Sequence, residues 1–194
     1  MITLYYNPQS RASIAKWMLD ECGAEYTLKA IDFKSGENKS PEFLAINPCG
    51  KLPALTDGEQ TLFENSAIAL YLGDRFAEAG LAPALDNPLR GKYLTFVVYA
   101  TSQLEPAMGD ELLNAGEVSP SRGWTNMERA QQVVAQALGD KPYLLGDQFS
   151  LADLMVGSMF IYRRMFGKPE ELPTIQAYVE RLLARPHAQA NFTF

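Results

Sequence analysis

Two hydrophobic periods alternate in the first third of the chain. A β-rich run occupies residues 2–6, and apolar and polar positions alternate again over 25–33, as in strands with one buried face. Between them, residues 11–23 carry apolar side chains at helical spacing and end on a glycine, which is typical of a helix C-terminus. The pattern predicts a β-α-β unit, and it places Trp17 in the hydrophobic core.

A second unit with a different order of elements follows. After a short helical stretch at 40–47, two short strands are predicted at Leu52–Gly58 and Gln60–Glu64, with an Asp-Gly pair between them that favours a tight hairpin turn. A helix is predicted over residues 65–80. The order β-α-β and then β-β-α is that of a thioredoxin-like domain.

The remainder of the chain is helical in pattern. Glycine and proline collect between Gly80 and Pro88, which indicates a boundary between domains. We therefore expect an α/β thioredoxin-like domain at 1–79, a linker at 80–87 and an all-α helical bundle at 88–194. Four segments of the last part have apolar residues at three- and four-residue steps: 88–108, 125–138, 150–166 and 174–184.

Composition and charge exclude several classes of function. The net charge of −6 and the pI near 4.9 oppose binding to a phosphate backbone, so we expect no nucleic-acid partner. Two cysteines without a C-x-x-C pattern and a single histidine argue against a metal site or a dithiol redox site. The apolar runs are too short for a membrane span, and no signal peptide is visible. These features predict a cytoplasmic protein that does not enter a membrane.

Pro53 and the Glu64–Ser66 triplet are the first candidates for chemistry. A proline in a strand suits a bend or an edge, whereas a cis Leu52-Pro53 bond would expose the Leu52 backbone for pairing with an extended peptide ligand. Polar residues at the start of a helix suit a cap. They also suit a ligand carboxylate at the helix N-terminus, with Glu64 accepting from an ammonium group. An α-amino acid end of a ligand would satisfy both groups.

Several motifs, in order, resemble one protein family. The stretches "NPCGKLPAL" and "LFENSAIALYL" resemble the glutathione-binding half of cytosolic glutathione transferases of the bacterial type. "SPEFLAINP", "YLLGDQFSLADLMV" and the ending "LPTIQAYVERLLARPHAQ" continue this resemblance over nearly the whole chain. Because several motifs agree in order and spacing, the resemblance is stronger than any one motif would make it.

The resemblance implies glutathione as cosubstrate and no metal. It implies a transferase that detoxifies small, largely apolar electrophiles by attack of the glutathione thiol, and it implies a homodimer. Lys51 would reach a carboxylate of the tripeptide, Leu52 would supply the backbone pair and Pro53 the cis bond. Glu64 and Asn65 would hold the γ-glutamyl end.

The thiol-activating group is expected where the first strand meets the first helix. Comparison with serine-type classes makes Ser10 the donor to the thiolate, and comparison with tyrosine-type classes makes Tyr5 the donor. Arg11 supports either scheme through its positive charge. The helix dipole is strongest at the helix start, which favours Ser10. The cysteine-type bacterial class has a cysteine near Ser10 or Arg11, and its absence here argues against a reductase that forms mixed disulfides.

A pocket for the electrophile is expected on the first long helix of the bundle. Such an apolar pocket would lie between the domains, although most of its residues would pack as core in any case. Cys49, beside the predicted site, has two interpretations: a thiol that is oxidised or forms a mixed disulfide, and the favoured one, a buried thiol without a role. The residues proposed for the pocket are Phe96, Tyr99, Gln103 and Met108.

Two other interpretations keep the same fold. A regulatory or scaffolding protein would lack catalysis, and an isomerase or reductase variant would use glutathione differently. The complete set of predicted glutathione contacts favours the enzyme. Separately, Ser150 and Asp153 have the spacing of a capping box, which we interpret as structural.

Overall fold

The computed structural model describes residues 1–116, 119 and 121–192. Its N-terminal part contains one sheet with the strand order β2-β1-β3-β4. β1 is parallel to β2 and antiparallel to β3, and β3 is antiparallel to β4, which confirms the predicted thioredoxin-like arrangement. The strands are β1 (Ile2–Tyr6), β2 (Tyr26–Ala30), β3 (Ala54–Asp57) and β4 (Gln60–Phe63).

Helices cover this sheet and, with the loops that join them, form the rest of the described chain. In the N-terminal part they are α1 (Ala12–Glu21), α2 (Pro41–Leu44) and α3 (Asn65–Arg75). The later helices are α4 (Arg90–Tyr99), α5 (Glu105–Leu112), α6 (Met127–Leu138), α7 (Leu151–Met165), α8 (Pro173–Leu183) and α9 (Pro186–Asn191). The predicted helical bundle is therefore confirmed, whereas the exact boundaries at 79 and 88 stay a prediction.

One hydrophobic core joins the two parts. Trp17 of α1, Leu72 of α3, Tyr93 of α4 and Phe160 of α7 are all fully buried in it, so the predicted core position of Trp17 is correct. A Cβ atom added at Gly73 would lie 2.8 Å from the Tyr93 hydroxyl oxygen. A glycine is needed there because α3 and α4 approach so closely.

A wider helical turn separates α4 from α5. Residues Ala100–Leu104 form a π-helix, in which the Glu105 N–H donates to the Ala100 carbonyl, and the three segments run on as one helix. Pro106 follows directly. Proline has no N–H, and its ring collides with the carbonyl four residues earlier in an α-helix; a π turn relieves that collision. The turn also changes which side chains share a helix face.

Ser150 and Asp153 form the predicted capping box at the start of α7. The Ser150 N–H and hydroxyl both donate to Asp153 Oδ2, at 2.9 and 2.8 Å. The Leu144 N–H and the Tyr178 hydroxyl donate to Oδ1, at 2.7 and 3.0 Å. Burial raises the pKa of the Asp153 carboxyl group, and these donors act in the opposite direction. The box therefore ties α7, α8 and the preceding loop together.

Candidate functional site

A cavity of about 330 Å³ lies between the sheet domain and the helix α4–α5. Its volume is within the range of small-ligand sites. All five side chains predicted for glutathione binding line it, together with Arg11 and three residues that the sequence analysis did not propose. The lining residues are Arg11, Asn47, Lys51, Leu52, Pro53, Glu64, Asn65, Thr101 and Glu105.

The loop before β3 forms one side of the cavity. The Leu52-Pro53 bond is cis, as one of the two alternatives proposed, and the strand begins only after it, at Ala54. Asn47 is almost completely buried. Its Nδ2 donates to the Lys51 carbonyl at 2.8 Å, and its Oδ1 accepts from the Cys49 N–H at 3.0 Å. Asn47 therefore fixes the shape of this loop, and the Asn-Pro pair was the signal that could have found it.

The start of α3 forms the next side of the cavity. Glu64 precedes the helix with φ 74° and makes no side-chain cap hydrogen bond. This left-handed backbone is uncommon for glutamate, and such strain is often found at functional sites. Asn65 is 7% exposed. Its Nδ2 donates to the Arg11 carbonyl at 3.2 Å, while its buried Oδ1 receives no hydrogen bond from the described residues.

Arg11 brings positive charge to the cavity from the start of α1. Its Nε donates to Glu105 Oε1 at 2.8 Å, and its guanidinium carbon lies 4.1 Å from the centroid of the Tyr162 ring. An ion pair and a cation–π contact together restrict this side chain. Lys51 supplies a second positive charge, and Glu64 and Glu105 supply two negative charges. The cavity thus matches a zwitterionic ligand.

Ser10 and Tyr5 have partners outside the cavity. The Ser10 hydroxyl donates to the Asn7 carbonyl at 2.6 Å and accepts from the Ala12 N–H at 3.1 Å, which is a local side chain-to-backbone pattern of a serine just before a helix. Tyr5 is buried, and its ring meets Phe43 edge to face with centroids 5.8 Å apart. Of the three proposed catalytic side chains, only Arg11 is among the described residues that line the cavity.

The four residues proposed for an electrophile pocket also lie elsewhere. Phe96 and Met108 are buried in the main core, and the Tyr99 hydroxyl donates to the Ala130 carbonyl at 3.3 Å. Gln103 Nε2 donates to the Gly123 carbonyl at 2.8 Å. Among the described residues of this long helix, Thr101 and Glu105 face the cavity instead.

The cysteine prediction was wrong in one respect. Cys49 is exposed rather than buried, in the loop between the buried Asn47 and the cis-proline. Cys22 is buried, and that burial raises the pKa of its thiol to about 12.

Two kinds of feature are absent from the described part of the chain: a side-chain cluster for a metal ion and a helix that could span a membrane. No cluster of three or more His, Cys, Asp or Glu side chains suited to a metal ion occurs there. None of its helices combines the length and the apolar character that crossing a bilayer requires.

Comparison with known proteins gives a consistent result. Residues 1–74 match the family model described as "Glutathione S-transferase, N-terminal domain", and residues 104–186 match "Glutathione S-transferase, C-terminal domain". Together these two models account for most of the chain.

Relatives match over most of their own length. Glutathione S-transferase F14 of Arabidopsis thaliana is 30% identical over 90% of this chain and 76% of its own. The probable glutathione S-transferase GSTF1 of Oryza sativa subsp. japonica is 31% identical over 93% of this chain and 91% of its own. A crystal structure of a glutathione transferase from Methylococcus capsulatus has a TM-score of 0.81 at 27% identity, over 98% of this chain and 97% of its own.

Proposed function

Because this chain belongs to the glutathione S-transferase family, we propose that it is a glutathione transferase that binds glutathione in the cavity described above. It activates the thiol for attack on small, largely apolar electrophiles. The observation that carries this proposal is the meeting of Lys51, Leu52, Pro53, Glu64 and Asn65 around one cavity.

Each part of the tripeptide has a chemically suitable partner. The Leu52 backbone pairs with the cysteinyl residue as an added strand would, and Lys51 attracts the glycyl carboxylate. At the other end, Glu64 accepts from the α-ammonium group. The uncapped N–H groups of α3 hold the γ-glutamyl carboxylate, and Asn65 Oδ1 is an acceptor that receives no hydrogen bond from the described part of the chain.

Thiolate stabilisation takes place at the start of α1. The N-terminal N–H groups and the dipole of that helix favour a negative charge on sulfur. Arg11 adds a positive charge, reduced by its ion pair with Glu105. The Ser10 hydroxyl becomes a donor to sulfur only after it leaves the Asn7 carbonyl, and Tyr5 only after it leaves its buried cluster.

The assembly and the location of the protein belong to the same proposal. We expect a homodimer in the cytoplasm, as the family resemblance implies. The mass of one chain is 21.5 kDa, so light scattering during size-exclusion chromatography should report about twice that value. A monomer at micromolar concentration would contradict this part alone.

Calorimetric titration of glutathione into the purified protein tests the binding proposal. Saturable binding is expected, and the Glu64→Ala variant should lose most of the affinity because the ammonium group loses its charged acceptor. Glu59→Ala, in the exposed turn between β3 and β4, is the matched control and should bind as the wild type does. Absence of binding by the wild type would contradict the proposal.

Turnover of an activated aryl chloride tests the catalytic part. Formation of the thioether product, dependent on glutathione and followed by absorbance, is expected. Tight glutathione binding with no turnover of any activated aryl or alkyl electrophile would contradict the transferase activity while leaving the binding site in place.

A further inference from the structure

Two side chains from distant elements hold two successive carbonyl groups at the start of α1. The Tyr162 hydroxyl, from α7, donates to the Ser10 carbonyl at 3.0 Å. Asn65 Nδ2, from α3, donates to the Arg11 carbonyl at 3.2 Å. A carbonyl oxygen can only accept, so the amide nitrogen of Asn65 must face it. The backbone of the Ser10-Arg11 turn is thereby fixed from both sides.

Fixing the Ser10 carbonyl also fixes the Arg11 N–H. The Ser10-Arg11 peptide is trans, and in a planar trans peptide the C=O and the next N–H point in opposite directions. The Arg11 N–H therefore points away from Tyr162. It has no acceptor among the described residues, and Arg11 is the residue of α1's start that lines the cavity.

We propose that Tyr162 and Asn65 are positioning residues that direct the Arg11 N–H to the glutathione sulfur, so that a main-chain amide is a principal donor to the thiolate. This inference rests on the proposed function. No covalent step is involved: the thiol proton leaves to solvent, and the N–H group stabilises the remaining S⁻. A donor held in place before the charge develops is more effective than one that must reorient.

The surroundings keep both positioning residues in place. Tyr162 is 7% exposed and Asn65 is 7% exposed, and the Arg11 guanidinium covers the Tyr162 ring. Burial raises the pKa of Tyr162, so its hydroxyl keeps the proton that it donates. Because Asn65 Oδ1 receives no hydrogen bond from the residues that the structure describes, this buried amide still has an acceptor for a ligand donor.

With a main-chain donor, the thiolate can be stabilised although neither predicted hydroxyl group lines the cavity. Ser10 donates to Asn7 and Tyr5 packs on Phe43, so both hydroxyl groups would have to move before they could reach sulfur. In the described part of the chain the Arg11 N–H makes no hydrogen bond that would have to break first. It can therefore donate to sulfur without any change of side-chain rotamer.

The first test is the Tyr162→Phe variant, which removes the bond to Ser10 and keeps the ring under Arg11. The thiol pKa of bound glutathione is followed by thiolate absorbance between pH 5 and 10. It should rise by about one pH unit, which lowers the ionisation constant of the thiol about tenfold. The dissociation constant of glutathione should change less than about threefold. Tyr93→Phe is the matched control, since Tyr93 is also buried and donates to a carbonyl, that of Ala69; it should keep the wild-type thiol pKa.

A second measurement uses the wild-type protein and does not depend on the folding of a variant. In ¹⁵N-labelled protein, the Arg11 amide proton should move downfield with glutathione, and its shift should titrate with the thiol. With S-methylglutathione, which has no ionisable thiol, that titration should be absent. An Arg11 amide that ignores thiol ionisation, or an unchanged thiol pKa in Tyr162→Phe, would overturn the inference. Failure of glutathione to bind the wild type would instead overturn the proposed function.

Discussion

The helices α3 and α7 begin in opposite ways. At α7, Ser150 and the buried Asp153 satisfy the helix start from within the chain. At α3, Glu64 has a left-handed backbone, gives no side-chain cap bond and faces the cavity. Every helix start has N–H groups that need acceptors. The chain itself supplies acceptors at α7, whereas the Glu64 side chain supplies none at α3, where the cavity lies.

The comparison predicts its largest effect at α7. Asp153→Ala should lower the free energy of unfolding by about 3–5 kcal/mol, because donors from three elements lose a buried charged acceptor. Urea denaturation followed by circular dichroism measures it. Asp147→Ala changes an exposed carboxylate in the preceding loop and should have little effect. A loss below about 1 kcal/mol for Asp153→Ala would show that the box is not structural.

At α3 the corresponding change should affect binding instead of stability. Glu64→Gln should weaken glutathione binding by about 1.5–3 kcal/mol, the usual size of a hydrogen bond to a charged group. The urea midpoint should stay that of the wild type, since Glu64 caps nothing. Calorimetry measures the glutathione affinity and urea denaturation measures the stability, both on the same preparation. A variant that is less stable but binds normally would reverse the contrast between the two helix starts.

Relief of backbone strain should give a smaller effect of opposite sign. Glu64→Gly should raise the free energy of unfolding by about 0.5–1 kcal/mol, because glycine adopts φ 74° without the strain that glutamate has there. This net gain already allows for the larger backbone entropy that glycine loses on folding. The same variant should lose glutathione affinity. Glu59→Gly, without strain of this kind, should be slightly less stable than the wild type. Equal stabilities for the two variants would remove strain from the explanation.

The far end of α7 provides the smallest effect, which depends on pH. Hydrogen bonds from Arg163 hold the pKa of Glu111 below its ordinary value of 4.5. This pair therefore stabilises the fold above that pH, and its contribution is lost as the pH falls through the lowered pKa. Denaturation between pH 6 and 3 should show a smaller acid loss in Glu111→Gln than in the wild type. An identical acid loss in both proteins would exclude this pair as the source.

The residues predicted from the sequence for glutathione binding line the cavity, whereas those predicted for the electrophile pocket do not. Lys51, Pro53 and Glu64 belong to short stretches in which loop, strand and helix start follow closely, so their placement depends on local geometry. Gln103 and Met108 depended on a regular helical period. The π turn before Pro106 changes that period, and the sequence pattern of apolar residues contains no sign of it.

Short-range physics therefore accounts for the order of strands and helices and for the Ser150–Asp153 box, which could be predicted from residues close together along the chain. The cis form of the Leu52-Pro53 bond was one of two alternatives that the local sequence left open. Long-range packing accounts for the rest. Tyr162 meets the Ser10 carbonyl across 152 positions, and Asn65 meets the Arg11 carbonyl across 54. Such contacts depend on how the helices pack against the sheet domain, so the direction of the Arg11 N–H is a property of the folded molecule alone.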